Sequence, residues 1–116
     1  PLVTESHIGQ FEVTQTINID GHWVLVFCAN EHDIKRAGVR GGFGTYAVPA
    51  AGPLGPFNLD KTHLFAEGIY AARAVKFQNK WILLGFMDDG IPGSFSGAIS
   101  DPLELRLTAD GNLEVI

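Results

Sequence analysis

The chain has 116 residues, 46% of them hydrophobic and 18% charged, with a formal net charge of -5 at pH 7. This is the size and composition of one folded domain, and the acidic balance argues against a nucleic-acid partner because phosphate binding depends on Lys and Arg. No apolar run approaches the roughly 20 residues that span a bilayer and no leader peptide stands at the start, so the sequence predicts a soluble chain without a membrane partner.

Cysteine and histidine usage bounds the chemistry that the chain can support. Cys28 is the single cysteine, which excludes an intrachain disulfide and fits a cytoplasmic chain as well as a secreted one. Its apolar neighbours predict a buried, inert thiol. The four histidines show none of the spacings of a zinc site. We therefore expect neither a metal nor a cofactor.

In chain order, residues 1–10 predict an irregular segment, and the first strand signal begins at Phe11. Apolar and polar residues alternate from there as in a half-buried strand. One face carries Phe11, Val13, Ile17 and Ile19, and the other carries Glu12, Thr14, Thr16 and Asn18. Asp20 and Gly21 supply the positive-φ positions of a tight hairpin turn. Residues 22–29 then continue as a nearly unbroken apolar strand.

The same hairpin design occurs again 58 positions later, where residues 69–85 repeat the pattern of residues 11–27. Gln78 and Asn79 stand in the place of the first turn, and Trp81 leads the following apolar strand as its counterpart does in the first copy. Internal repetition at this period is typical of stacked structural units. It predicts two units, at about 11–68 and 69–116.

The other segments add loops and short strands. Residues 30–37 carry most of the local charge and predict a solvated loop with room for a one-turn helix. Residues 39–48 predict two short strands that meet at a glycine turn, and residues 50–58 predict a surface loop. Beyond the second hairpin, residues 94–99 predict one strand, and a last hairpin is expected around Asp110-Gly111.

Nowhere do apolar residues recur at helical spacing for a dozen positions, so the sequence predicts an all-β chain. A repeat with three or four strands per unit favours blades of a β-propeller over a Greek-key sandwich. Propellers have about four to eight blades. We therefore expect a partial β-propeller of about two to three blades of antiparallel sheet, within a larger body.

Candidate site residues follow from this architecture, because the first strand of a blade lines the central channel. Glu12 lies near the start of that strand in the first unit, and Tyr70 has the same place in the second. A carboxyl group held there among apolar neighbours can have a raised pKa and act as a general acid. The alternative is a carboxylate that points to water from the polar face of its strand.

Three further residues are candidates for substrate binding. Gln15 and Arg73 hold equivalent positions in the two units, and Arg73 is expected with Tyr70 in the wall of a pocket. Asp88 ends the second hairpin, where it is placed to touch the hydroxyl groups of a ligand. The alternative for Asp88 is a solvated loop carboxylate.

Five segments of the sequence resemble, in the same order, those of glycoside hydrolases of the β-fructosidase type, the invertases, levanases and inulinases. Residues 12–15 resemble the Glu-Cys-Pro-Asp motif, and residues 44–47 resemble a Gly-x-Tyr/Phe stretch. Residues 69–72 are similar to the Phe-Tyr-Ala segment, and residues 81–87 to the Leu-x-Gly-Trp-Met strand. Residues 96–105 resemble the Gly-x-Leu-Ser-x-Pro-Arg-Glu-Leu run that finishes the propeller.

The resemblance implies a five-bladed propeller and a retaining mechanism in which Glu12 is the general acid/base. Only the Glu of its motif is kept, and Leu103 replaces the Arg of the last run. These departures indicate a divergent member or a neighbouring family, such as the arabinanase and xylosidase type. The nucleophile segment, Trp-x-Asn-Asp-Pro-x-Gly, and the Arg-Asp-Pro segment that stabilises the transition state have no counterpart here.

The resemblance therefore implies the C-terminal blades of such an enzyme, which bind a carbohydrate substrate together with the remaining N-terminal blades and are inactive alone. Two other classes of function stay open. One is a non-catalytic carbohydrate-binding or interaction module that keeps the fold without the chemistry. The other is a small β domain that closes its exposed blade edges by self-association, because unpaired strand edges invite pairing.

Overall fold

The computed structural model describes residues 12–87 and 97–116, which fold as two four-stranded antiparallel sheets. The first sheet contains β1 (Glu12–Ile19), β2 (His22–Ala29), β3 (Gly44–Ala50) and β4 (His63–Glu67). The second contains β5 (Ile69–Phe77), β6 (Lys80–Met87), β7 (Leu103–Leu107) and β8 (Leu113–Val115). A short helix, α1 (Glu31–Arg36), and a 3₁₀ turn (Leu59–Lys61) complete the described elements.

Both sheets are meanders in which the strands lie in chain order, as in the blade of a propeller. The prediction of an all-β chain made of antiparallel sheets is confirmed, and the two sheets form a partial propeller-like arrangement that does not close on itself. Gly68 alone separates β4 from β5. Among the described residues, no helix is long and apolar enough to cross a membrane.

The two leading hairpins share their irregularities as well as their strands. Each has a β-bulge at the same place, with a positive φ of 52° at Val13 and 49° at Ala71. Each turn also has two positive-φ residues, Asp20-Gly21 in the first hairpin and Gln78-Asn79 in the second, which is the geometry of a type I′ turn. The turns were predicted from the sequence, and the structure confirms both of them.

The main core lies between the two sheets, and β5 crosses the face of the first sheet diagonally. β5 begins beside β3, where the hydroxyl of Thr45 donates to the carbonyl oxygen of Ile69 at 2.6 Å. It passes β2, where Ala72 N–H donates to the sulfur of Cys28 at 3.4 Å, and then reaches β1. The small side chains of β5 allow this close passage. Cys28 is fully buried, as expected.

The opposite face of the first sheet is covered by α1 and the loops near it. The short helix for which the sequence left room at residues 30–37 is thus present, and four of its six residues are exposed as expected of a solvated segment. Ile34 is fully buried against a cluster that includes Phe27, Tyr46 and Val48. Asn30 caps the helix, because its side-chain oxygen accepts a hydrogen bond from Asp33 N–H at 2.9 Å. The burial of Asp33 and Ile34 departs from the prediction, because a helix this short gives too brief a pattern to show which of its residues are buried.

Two other strand predictions also need correction. Residues 39–43 form no strand, and β3 begins only at Gly44, so the predicted pair of strands meeting at a glycine turn is wrong. β4 was not predicted at all. The first half of the strand predicted at residues 94–99 lies outside the described residues, and in the described half Ile99 forms an isolated bridge with Phe86.

Candidate functional site

The β-bulge at the start of β1 decides which way Glu12 faces. Glu12 lies opposite Cys28 and Gln15 lies opposite Val26, so one extra residue of β1 is accommodated between the two pairs. Residues directly opposite each other in an antiparallel pair share a face. Glu12 and Gln15 therefore lie on the same face as Ile17, towards the second sheet. Uninterrupted alternation had put Glu12 on the opposite face from Ile17, and this expectation is corrected.

Glu12, Tyr70 and Phe43 form a compact group at this end of the sheets, which we call the Glu12 cluster. The phenol of Tyr70 donates a hydrogen bond to Glu12 Oε2 at 2.5 Å. The Tyr70 ring stacks on Phe43 with 4.5 Å between centroids and 10° between planes. All three residues are half-buried. The structure thus brings together the two residues that the repeat placed at equivalent positions.

The electrostatic environment keeps the Tyr70 hydroxyl protonated. Its pKa is raised, first by burial, then by the hydrogen bond to Glu12 and by the charge of that carboxylate. Because the phenol keeps its proton well above neutral pH, it remains a donor and holds Glu12 Oε2 in one position. Burial likewise raises the pKa of Tyr46 to about 12, with smaller contributions from Glu67 and Glu31.

We expect an alkaline titration to show that neither tyrosine ionises normally in the folded chain. Tyr46 and Tyr70 are the two tyrosines of the sequence, and unfolded phenols lose their protons near pH 10. Above that pH the unfolded state loses protons that the folded state keeps. The two phenols therefore stabilise the fold below about pH 10, and this contribution is lost as the pH rises through the folded pKa values. Phenolate absorbance and urea midpoints between about pH 9 and about pH 11 measure both effects.

The variant Tyr70→Phe is the control for this titration, because it removes one of the two displaced phenols and leaves the ring stack on Phe43. Its urea midpoint should fall less steeply with pH than that of the parent chain. A folded protein in which Tyr70 titrates near pH 10 would contradict the description of the Glu12 cluster.

Gln15, a candidate for substrate binding, joins the two sheets. Its side-chain Nε2 donates to the carbonyl oxygen of Ala74 at 2.7 Å, and its Oε1 accepts from Ala74 N–H at 3.0 Å. The amide therefore pairs with the backbone of β5 as a neighbouring strand would. Both hydrogen bonds fix β5 against β1, close to the point where Tyr70 meets Glu12.

The other candidates for substrate binding are placed differently. Arg73 is exposed, and its Nη1 donates to the carbonyl oxygen of Thr14 at 3.3 Å, a third link between β5 and β1. Asp88 lies outside the described residues. The first strands of the two sheets thus meet along one line of contact, which is formed by Glu12, Gln15, Tyr70 and Arg73.

Sequence reasoning missed Phe43, which was assigned to a glycine turn. A side chain at Gly44 would meet the carbonyl oxygen of Ala66 at 2.5 Å, so this position needs glycine for the close approach of β3 and β4. The glycine-rich stretch therefore serves packing beside the cluster and not a hairpin. The sequence signal for Phe43 was an aromatic residue between glycines. Nothing in the sequence indicated that this residue stacks on Tyr70.

A separate cavity of about 480 Å³ lies at the opposite end of the hairpins. It is lined by residues of both hairpin turns and of β7, among them Asn18, Asn79, Trp81 and Arg106. Because each strand rises about 3.3 Å per residue, the length of β1 separates this cavity from Glu12. Among residues 12–87 and 97–116, no three His, Cys, Asp or Glu side chains come together to hold a metal ion.

No protein-family model, curated protein or solved structure matches this chain. The motifs of the sequence and the geometry of the Glu12 cluster are therefore what indicates its function.

Proposed function

We propose that this chain is part of a retaining glycoside hydrolase that acts on fructosides or related glycosides, with Glu12 as its general acid/base. The observation that carries the proposal is the half-buried Glu12 carboxyl group held by the Tyr70 hydroxyl, on the first strand of its sheet. The ordered motifs of the sequence support the same residue. A fixed carboxyl group beside aromatic rings is suited to proton transfer on a sugar.

In this role, Glu12 first donates a proton to the glycosidic oxygen as the leaving group departs. It then takes a proton from the water that releases the sugar from the enzyme. Tyr70 acts as a positioning residue, because its hydrogen bond fixes one carboxylate oxygen of Glu12. The stacked rings of Phe43 and Tyr70 offer an apolar surface beside this carboxylate.

For this reaction the chain needs the remaining blades of the enzyme as a partner. A retaining reaction needs a second carboxylate at about 5 Å across the scissile bond, and the segment that carries it in the β-fructosidases is absent from this sequence. Asp33 is not a substitute, because it is buried and accepts a hydrogen bond from the Asn30 side chain at 2.9 Å beneath the helix cap.

The purified 116-residue chain is therefore expected to show no turnover of sucrose, inulin or aryl glycosides. The same assay on the intact protein that contains the chain should show turnover of at least one of them. Clear activity of the 116 residues alone would overturn the assignment of an incomplete site. Absence of activity from both would remove the glycosidase proposal.

The alternative function is a non-catalytic carbohydrate-binding module, and the cavity at the turn end favours it. A tryptophan with two asparagine amides combines a flat apolar surface with hydrogen-bonding groups, which suits sugar rings. Calorimetry with oligosaccharides distinguishes the two functions. Binding that is lost in Trp81→Ala and unchanged in Glu12→Gln, without turnover in the intact protein, supports the binding module.

A further inference from the structure

The second sheet presents an apolar surface on the side that faces away from the first sheet. We call it the outer face and define it by Val75, Phe77, Ile82, Leu84 and Phe86 of β5 and β6. Phe77 is 62% exposed, Phe86 49% and Val75 47%. The residues that alternate with them, such as Ala74 and Leu83, are buried between the sheets, so the strand period places the five together on the outer side.

The internal repeat gives this surface a counterpart inside the chain. Moving back by 58 positions, the five outer-face residues correspond to Ile17, Ile19, Val24, Val26 and Cys28. All five of these are buried in the core between the two sheets. The outer face of the second sheet therefore corresponds, by the repeat, to one face of the first sheet. That face of the first sheet is the one that packs against the second sheet.

Charged pairs border the apolar centre on the side of β7 and β8. Lys80 Nζ donates to Glu104 Oε2 at 2.6 Å, and Arg106 Nε donates to Glu114 Oε1 at 2.7 Å, all on exposed or half-buried side chains of the second sheet. An apolar centre with a polar rim is the usual layout of a protein interface.

We propose that the outer face is the docking surface for a third four-stranded sheet of the same repeat. In the existing interface, Ile17 and its neighbours meet a first strand with small side chains, Ala72 and Ala74. The third sheet therefore presents small residues on its first strand. Arg73 takes the position of Gln15, which pairs with the backbone of the next sheet. Arg73 Nη1 already donates to Thr14 of β1, and a guanidinium has further N–H groups that only donate, so the third sheet offers an acceptor to one of these.

A second copy of the chain fits this surface less well. Stacking copies in one direction requires the far face of the first sheet, and α1 already covers that face with Ile34 and its neighbours. Packing two outer faces together sets Phe77 and Phe86 against equally large side chains, without the small residues that allow close approach. The occupant is accordingly a further repeat.

The test extends the 116-residue chain by one glycine, as Gly68 joins the two existing sheets, and a second copy of residues 69–116. We expect a monomer with a urea midpoint about 1 M higher or more. Binding of a hydrophobic dye should stay near its original value, because the added sheet carries an identical outer face of its own. An extended chain that folds but keeps the original midpoint overturns the proposal. No sugar enters this experiment, so its outcome is independent of the glycosidase proposal.

The variant Phe77→Glu gives a second check on the native chain. It should lower dye binding and leave the urea midpoint of the 116-residue chain nearly unchanged, because Phe77 is exposed there. In the extended chain it should abolish the gain in midpoint. Leu54→Glu is the matched control, since Leu54 is 76% exposed on a loop away from the outer face. It should change neither chain.

Two results would contradict the proposal even if the added sheet fails to fold. A loss of about 1 M in the midpoint of the native chain with Phe77→Glu would mean that this chain covers the face by itself. Sedimentation of the native chain as a dimer that Phe77→Glu dissociates would assign the surface to a second copy.

Discussion

If Glu12 has the proposed role of general acid/base, replacing it by Gln is expected to lower the turnover number of the intact protein by about 100-fold or more. The amide is nearly the same size as the carboxyl group and can still accept the hydrogen bond from Tyr70, so the fold and the substrate site should persist. What is lost is the proton that the leaving group needs. Substrates with good leaving groups, such as activated aryl glycosides, should lose less in the first step than sucrose or inulin.

Two variants serve as controls for Glu12→Gln. Glu67→Gln changes an exposed carboxylate at the end of β4 and should leave turnover unchanged. Tyr70→Phe removes the hydrogen bond to Glu12 while keeping the ring, and should shift the pH profile of turnover as well as its maximum. Near-parental activity of Glu12→Gln on all substrates would exclude Glu12 as the acid/base.

Replacing Gly85 by Ala is expected to lower the free energy of unfolding by about 1–3 kcal/mol. A Cβ atom at this position would lie 2.6 Å from Ile69 Cγ2, 2.8 Å from the carbonyl oxygen of Tyr70 and 2.9 Å from the Cβ of Ala72. The carbonyl oxygen of Tyr70 belongs to the backbone, and the Cβ of Ala72 is fixed directly to the backbone. Neither atom can rotate away. The start of β5 must shift, and Tyr70 must move with it.

The matched control is Gly42→Ala, where the nearest atom to an added Cβ is the end of the Glu67 side chain at 3.6 Å. Urea unfolding of the two variants separates steric crowding from the general effect of replacing glycine. Because the shift reaches Tyr70, Gly85→Ala should also alter the alkaline titration of that phenol. Equal stability of both alanine variants would show that β5 yields easily at this point.

The hairpins could be predicted from the sequence because their signals are local. Polar residues in the turns and alternating strands specify each hairpin within about 20 residues, and repetition makes the pattern visible twice. The confirmed turns at Asp20-Gly21 and Gln78-Asn79 belong to this class. β4 carries no such signal, since it is five residues long and its place depends on pairing with β3.

The site was predicted in part, and the missing part depends on tertiary structure. The repeat correctly placed Glu12 and Tyr70 at equivalent positions. Their hydrogen bond, however, depends on a bulge at Val13, and the residue types of the sequence do not predict the positive φ of 52° at that position. β-branched residues rarely adopt this conformation. The sheet-joining role of Gln15 and the stack of Phe43 on Tyr70 likewise require the diagonal path of β5, which periodicity cannot show.

Because the two sheets are covered unequally, the first sheet should be more stable against local opening than the second sheet. The first sheet is packed on both faces, by the second sheet on one side and by α1 on the other. Among the residues that the structure describes, the second sheet is packed on one face, against the first sheet, and it ends in the three-residue strand β8. In stacked repeats each unit draws its stability from its neighbours. Local opening should therefore begin at β7 and β8 and leave the Glu12 cluster closed, so that amide hydrogens exchange faster in β7 and β8 than in the first sheet.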